Sequence, residues 1–185
     1  MSQSVLQNPA FFAALFDFDQ DHAATIRSQG CACGGNLHQA NYERKPRGVP
    51  RGVAMETTRL SLCCGACRSR CTPASVRFLG RRVYWGAVVV LATALCSGLN
   101  LRRGRQLSQQ LGVPVQTILR WREWWLSGFT ASTVWQVLRG CLFPPVAAND
   151  LPGELLIRVV AADRSTAMAT ILRWLAPLST ISEGR

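Results

Sequence analysis

The chain is poor in the side chains that most enzymes work with. It has 10 carboxylates and two histidines in 185 residues, and the carboxylates stand mostly apart. It has no Walker-type glycine–lysine loop and no GxGxxG loop to cradle a nucleotide's phosphates. These gaps argue against a nucleotide-driven machine and a carboxylate–metal nuclease, and favour a non-catalytic chain. A secretory leader is not expected either. No basic stretch precedes the apolar run Phe11–Phe16, which leads straight into Asp17, Asp19 and Asp21. Without export the eight cysteines are expected to be reduced, which favours metal binding over disulfides. Lysine is nearly missing as well: Lys45 is the only one among 21 basic residues.

What remains is apolar enough to bury a core, at 48% hydrophobic residues, and strongly basic, at formal net charge +11 and a pI near 10.3. GC-rich coding would explain arginine over lysine, but not two basic residues for every acidic one. The charge is also concentrated. Residues 44–122 hold 15 basic groups against Glu56 alone, while the flanks together are slightly acidic. A positive field on one segment predicts a polyanionic partner, here double-stranded DNA.

Six cysteines fall in two clusters inside or beside that segment: Cys31-Ala32-Cys33-Gly34-Gly35, and Cys63-Cys64-Gly65-Ala66-Cys67 with Cys71 four residues on. Two thiol pairs about 30 residues apart, with short strands at His38–Tyr42 and Thr57–Leu62, suit a zinc ribbon in which each β-hairpin knuckle gives two thiolates to a tetrahedral Zn2+. A structural metal would supply stability that so small and arginine-rich a module cannot obtain from its own core. The expected ligands are Cys31, Cys33, Cys64 and Cys67. His38 in place of Cys31, and Cys63 or Cys71 in place of Cys64, stay open. Cys96 and Cys141 read as core residues.

Four regions follow. Residues 1–29 should form short helices, one starting at Asn8-Pro9 and a second over Asp21–Ser28. Residues 30–80 form the ribbon-like module, with an exposed basic loop from Arg44 to Gly52. Residues 81–128 form a trihelical unit, and residues 129–185 a helical C-terminal segment, with helices at Ser132–Cys141, Leu151–Val160 and Ser165–Leu175 broken at Phe143-Pro144-Pro145. The predicted fold class is thus mainly α, with one small β module. Val83–Leu99 carries no charge and is at the short end of what spans a bilayer. Arginines on both sides give it no orientation, so a buried helix is the better reading and no membrane partner is expected.

Within 81–128, Gln106 to Trp121 reads as a helix-turn-helix. Gly112 ends one helix, Val113 tucks into the core, Pro114 opens the next, and Ile118 and Trp121 pack inward. Val83–Ser97 supplies the first helix. Val115, Gln116, Thr117 and Arg120 should then project from the start of the second helix of the motif toward base edges in a major groove. Arg102, Arg103 and Arg105 should lie on the phosphate backbone, with Arg44, Lys45, Arg47 and Arg51 on further phosphates or in a minor groove.

At Gly112-Val113, Thr117-Ile118 and Arg120-Trp121 the chain resembles the DNA-binding front of bacterial insertion-sequence transposases, where a zinc ribbon precedes a helix-turn-helix of the GV-x-x-x-T-I/L-x-RW type. The stretches Gly34–His38, Arg44–Gly48 and Thr72–Tyr84 are similar to small transposon-associated proteins. The resemblance spans roughly residues 31–127 and implies a cytoplasmic, nucleoid-associated role at a mobile element. The residues after 130 are not expected to form a DDE or HUH catalytic domain, being too few and too poor in carboxylates. Two further roles stay open: a transcriptional regulator that dimerises through its C-terminal helices, and a subunit that recruits a separate transposase.

Overall fold

Asn8 and Pro9 start the first long element. Asn8 Oδ1 accepts from the backbone amides of Ala10 (3.0 Å) and Phe11 (3.4 Å), and Pro9 takes a first-turn position where no amide donor is missed. The computed structural model describes residues 3–46, 48, 55–79, 84–95, 101–159 and 161–180. In it a short α1 (Gln3–Leu6) precedes α2 (Pro9–Gln29). This single long helix replaces the two short ones expected, because no breaker stands between Phe11 and Ser28. Asp17 and Asp21 face water, while Asp19 joins Phe12, Leu15 and Ala23 on the buried stripe.

Five short strands follow: β1 (Leu37–Gln39), β2 (Tyr42–Glu43), β3 (Thr58–Arg59), β4 (Leu62–Cys64) and β5 (Arg70–Cys71). The pairs Leu37–Cys64, Gln39–Leu62, Tyr42–Arg59 and Glu43–Thr58 keep one register. Backbone bonds from Ala40 to Ser61 (2.8 Å) and from Arg44 to Thr57 (3.2 Å) carry that register through the gap and beyond it. Residues 37–44 and 57–64 are therefore one antiparallel ribbon. It is nicked only at Asn41, whose Oδ1 accepts the Ser61 amide at 3.0 Å. β5 adds a third strand beside β4 at one end.

The other end of the ribbon is pinned to α2 by a buried ion pair. Arg77 Nε donates to Asp19 Oδ2 at 2.7 Å, with both side chains 1% exposed. Arg77 also donates to the carbonyls of Glu56 and Thr58, each at 2.7 Å. Asp19 further accepts from Ser75 Oγ (2.5 Å) and the Val76 amide (2.8 Å). The rings of Phe16 and Phe78 flank the guanidinium at 4.6 and 4.9 Å. Arg59 is buried too and donates to the Pro73 carbonyl at 2.7 Å. Burial is the first cause that lowers its pKa. Among the described residues of 44–122, Arg59 and Arg77 are thus structural.

The remainder is helical: α3 (Gly86–Leu95), α4 (Leu101–Leu111), α5 (Val115–Trp124) running into a π-helical turn (Trp125–Phe129), α6 (Thr133–Gly140), α7 (Gly153–Arg158) and α8 (Arg164–Leu175). The chain is mainly helical, with small antiparallel sheets. Ala87 through Thr93 of α3 are all buried, and α3 packs on α5, α7 and α8. Trp85, just before α3, stacks on Phe78 (5.2 Å) and meets Phe12 edge-on (5.8 Å), joining α2 to the helical body. Within the charge-free run, Gly86–Leu95 form a core helix of 10 residues. Among the described residues no helix is long and apolar enough to cross a membrane.

α4 ends in a Schellman-type turn. Gly112 takes φ +61°, and the Val113 amide reaches back to the Ser108 carbonyl at 3.2 Å. Val113, Ile118 and Trp121 are buried, as the sequence predicts. Ser132 caps α6 and Asp163 caps α8. α7 is shorter than the Leu151–Val160 helix expected, because Leu151-Pro152 lies in the turn before it. Cys141, expected in the core, is exposed just past α6. Cys96 lies outside the described residues.

Candidate metal centre

Cys31 and Cys33 follow the end of α2 directly, and Cys64 and Cys67 stand at and just past the end of β4. Folding the ribbon brings these two ends together. The four Sγ atoms lie within 4.8 Å of one another and form a group that could hold a metal ion. Cys31–Cys67 is 3.7 Å and Cys33–Cys64 is 3.5 Å. A disulfide spans about 2.05 Å, so these are free thiols.

The two turns that present the thiols are built alike, although one is a residue shorter. In the first, the Cys31 amide donates to the Gly35 carbonyl (3.0 Å) and the Gly34 amide returns to the Cys31 carbonyl (2.8 Å). In the second, the Cys64 amide donates to Ser69 (2.9 Å) and the Arg68 amide returns to Cys64 (3.1 Å). In each, the residue after the second cysteine is left-handed: Gly34 at φ +82° and Arg68 at φ +59°. The CxC spacing therefore closes the same reciprocal loop as CxxC, with one residue removed. Gly35 is needed for proximity, because a Cβ there would sit 2.7 Å from Cys64 Sγ. Sequence reasoning missed Gly35 and Arg68; the Gly34-Gly35 doublet was the available signal for the first.

The turn's backbone dipoles are aimed at sulfur. The Cys67 amide lies 3.5 Å from Cys64 Sγ. That contact, followed by the Ala66 amide and the thiols of Cys33 and Cys67, pulls the Cys64 thiol down to about 6 against its burial. The Ser69 amide pulls Cys67 down, but the thiols of Cys33, Cys64 and Cys31 outweigh it and push Cys67 up to about 12. Four thiols this close hold one negative charge readily and resist the next. A bound cation removes that resistance.

The structure also separates the alternatives left open at Cys31 and Cys64. Successive residues of a strand face opposite sides, so Cys63 shares the ribbon face of His38 and turns away from Cys64. Cys63 Sγ lies 3.6 Å from the Arg68 carbonyl. Cys71 packs with Leu37, Leu62 and Cys64 in a small apolar cluster. His38 is exposed and outside the four-thiol group.

No protein family, curated protein or solved structure matches the chain. The basic residues singled out by sequence are therefore placed by geometry alone. Lys45, Arg105, Gln116 and Arg120 are exposed, and Arg44 stacks on the Tyr42 ring at 5.2 Å. Two of the expected groove-facing residues do not face outward. Thr117 is 4% exposed, and its Oγ1 accepts from Arg120 Nη2 at 3.1 Å. Val115 is half-buried toward Gly104 of α4. Val115 thus belongs to the packing between α4 and α5, and Thr117 is buried within α5's inner side. Arg102 and Arg103 stand in α4, with side chains outside the described set, and Arg47 and Arg51 lie outside the described residues.

Proposed function

We propose that this chain is a non-catalytic, zinc-stabilised protein that binds double-stranded DNA in the service of a mobile element. The observation that carries the zinc reading is the thiol geometry. Zn–S bonds of about 2.3 Å in a tetrahedron put sulfurs about 3.8 Å apart; here Cys33–Cys64 and Cys31–Cys67 stand at 3.5 and 3.7 Å, and all four sulfurs lie within 4.8 Å of one another. An all-thiolate set of four favours zinc over hard, oxygen-seeking cations. Cys31, Cys33, Cys64 and Cys67 would hold the ion. When bound, it ties the end of α2 to the ribbon and leaves no open position for chemistry, as in a structural site.

The DNA reading is supported by α4, the Gly112-Val113-Pro114 turn and α5. A buried Val113, Ile118 and Trp121 with exposed Gln116 and Arg120 supports a helix-turn-helix reading in which those two side chains would read adenine and guanine edges. Lys45 and Arg105 would contact phosphates. The mobile-element association rests on the resemblance to transposase front ends.

The test is duplex binding by the purified full-length protein across a salt series, with its metal content measured in parallel. Affinity should fall steeply with salt. Arg120→Ala should flatten discrimination between sequences, whereas Lys45→Ala should weaken all sequences alike and reduce the salt slope by about 1. Duplex binding that is absent or indifferent to salt overturns the DNA reading. A metal-to-protein ratio near zero with all thiols reduced overturns the zinc reading.

A further inference from the structure

Gly48 sits in the middle of the basic stretch that leaves β2, and it is buried. Its φ is +76°, a conformation that L side chains rarely adopt. A Cβ there would lie 3.2 Å from Val113 Cγ2 and 3.2 Å from Val88 Cγ1. Val113 closes the turn between α4 and α5, and Val88 is a fully buried residue of α3. Gly48 is therefore seated, backbone against side chain, on the joint from which α5 starts.

We infer that the stretch around Lys45 and the N-terminal part of α5 form one composite surface for a single DNA duplex, with Gly48 as the joint that sets their spacing. This rests on the DNA-binding reading above and goes beyond it in assigning both segments to one face. Lys45 is three residues before Gly48, and Gln116 is three after Val113. Three residues of chain reach at most about 10 Å. With the contact between Gly48 and Val113 added, Lys45 and Gln116 lie within about 27 Å of each other, inside one turn of B-DNA at about 34 Å. Lys45, Gln116 and Arg120 are all exposed.

The metal centre is not what holds this surface together. It stands at the opposite end of the ribbon, seven residue steps from Arg44, or about 23 Å at roughly 3.3 Å per step. At the near end, the hydroxyls of Thr57 and Thr58 each donate to Glu43 at 2.8 Å. Arg77 holds the carbonyls of Glu56 and Thr58.

The experiment places a benzophenone photo-crosslinking residue at position 45 or 116 of the full-length protein. Each is bound to one end-labelled duplex, and the crosslinked bases are mapped. Both positions should crosslink the same duplex within one helical turn. Crosslinks more than a turn apart, or crosslinking from 116 alone, overturn the composite surface while leaving DNA binding intact. A protein that shifts no duplex removes the underlying reading instead. Gly48→Ala is the companion variant, accepted only if metal content and helical circular dichroism match the parent. In it the position-45 crosslink should fall at least fivefold while the position-116 crosslink persists; unchanged yields at both positions overturn the role of Gly48. If Gly48→Ala does not fold, the map on the parent sequence decides.

Discussion

Among the described residues between 31 and 72 the buried apolar side chains are Leu37, Leu60, Leu62 and Cys64, whereas α3 by itself buries the six from Ala87 to Ala92. The ribbon and the helical body are built on different chemistry. The helical body closes around Trp85, Trp125, Phe129 and the stripe of α8, by area removed from water. The ribbon has too little such area. It has four thiols that could hold a metal ion at one end and a buried guanidinium–carboxylate pair at the other. A module of this kind can be arginine-rich and still fold, because its fixed points are polar.

That contrast can be broken in order of expected effect. The largest effect should come from the thiol end. Removing bound metal with a strong chelator, or replacing Cys64→Ser, should raise amide hydrogen exchange across residues 31–39 and 62–71 toward unprotected rates while α3 and α8 stay protected. Equal loss in both regions would erase the distinction. Next is the polar staple. Asp19→Ala leaves Arg77 buried without its counter-charge and should cost about 3–5 kcal/mol in denaturant unfolding. A cost below about 1 kcal/mol would mean the pair is dispensable.

The smallest effect belongs to the helical body. Asp163 accepts from the Thr166 amide at 2.9 Å and the Thr166 hydroxyl at 3.0 Å. These bonds, the amide first, hold its carboxyl below the ordinary aspartate range. Because the folded pKa is the lower one, the unfolded chain takes up the proton first. The cap's contribution is therefore full above the ordinary range and disappears as pH falls through the folded pKa. Asp163→Ala should be slightly less stable than the parent at neutral pH, and the two should converge in acid; a gap that persists in acid would assign the effect to packing.

Much of the helical half is readable from residues alone, because its signals are local. Asn8-Pro9, Gly112 and Ser132 each act on their own neighbours, and the apolar spacing around Ile118 and Trp121 places those side chains inside. The candidate thiol set is legible as a set of spacings. The choice of Cys64 over Cys63 is not, because adjacent strand residues face opposite sides and only the register with Leu37 says which side. Asp19 could have been flagged: it lies four residues from both Leu15 and Ala23, and a carboxylate on an apolar stripe demands a partner. Its partner, Arg77, is 58 positions away.

By itself, then, the sequence determined that the chain is mainly helical with one small cysteine-bearing module, where its helices cap and turn, and that its charge is concentrated in the middle. Only the tertiary structure decided which thiols meet, that Arg59 and Arg77 of the basic segment are buried fastenings, that Thr117 faces inward, and that Gly48 lies against Val113 of the turn before α5. The reason is physical. Caps, turns and periodicity are set by residues within a few positions of one another, whereas a ligand set, a buried ion pair and a packing joint exist only where distant segments are brought within a few ångströms.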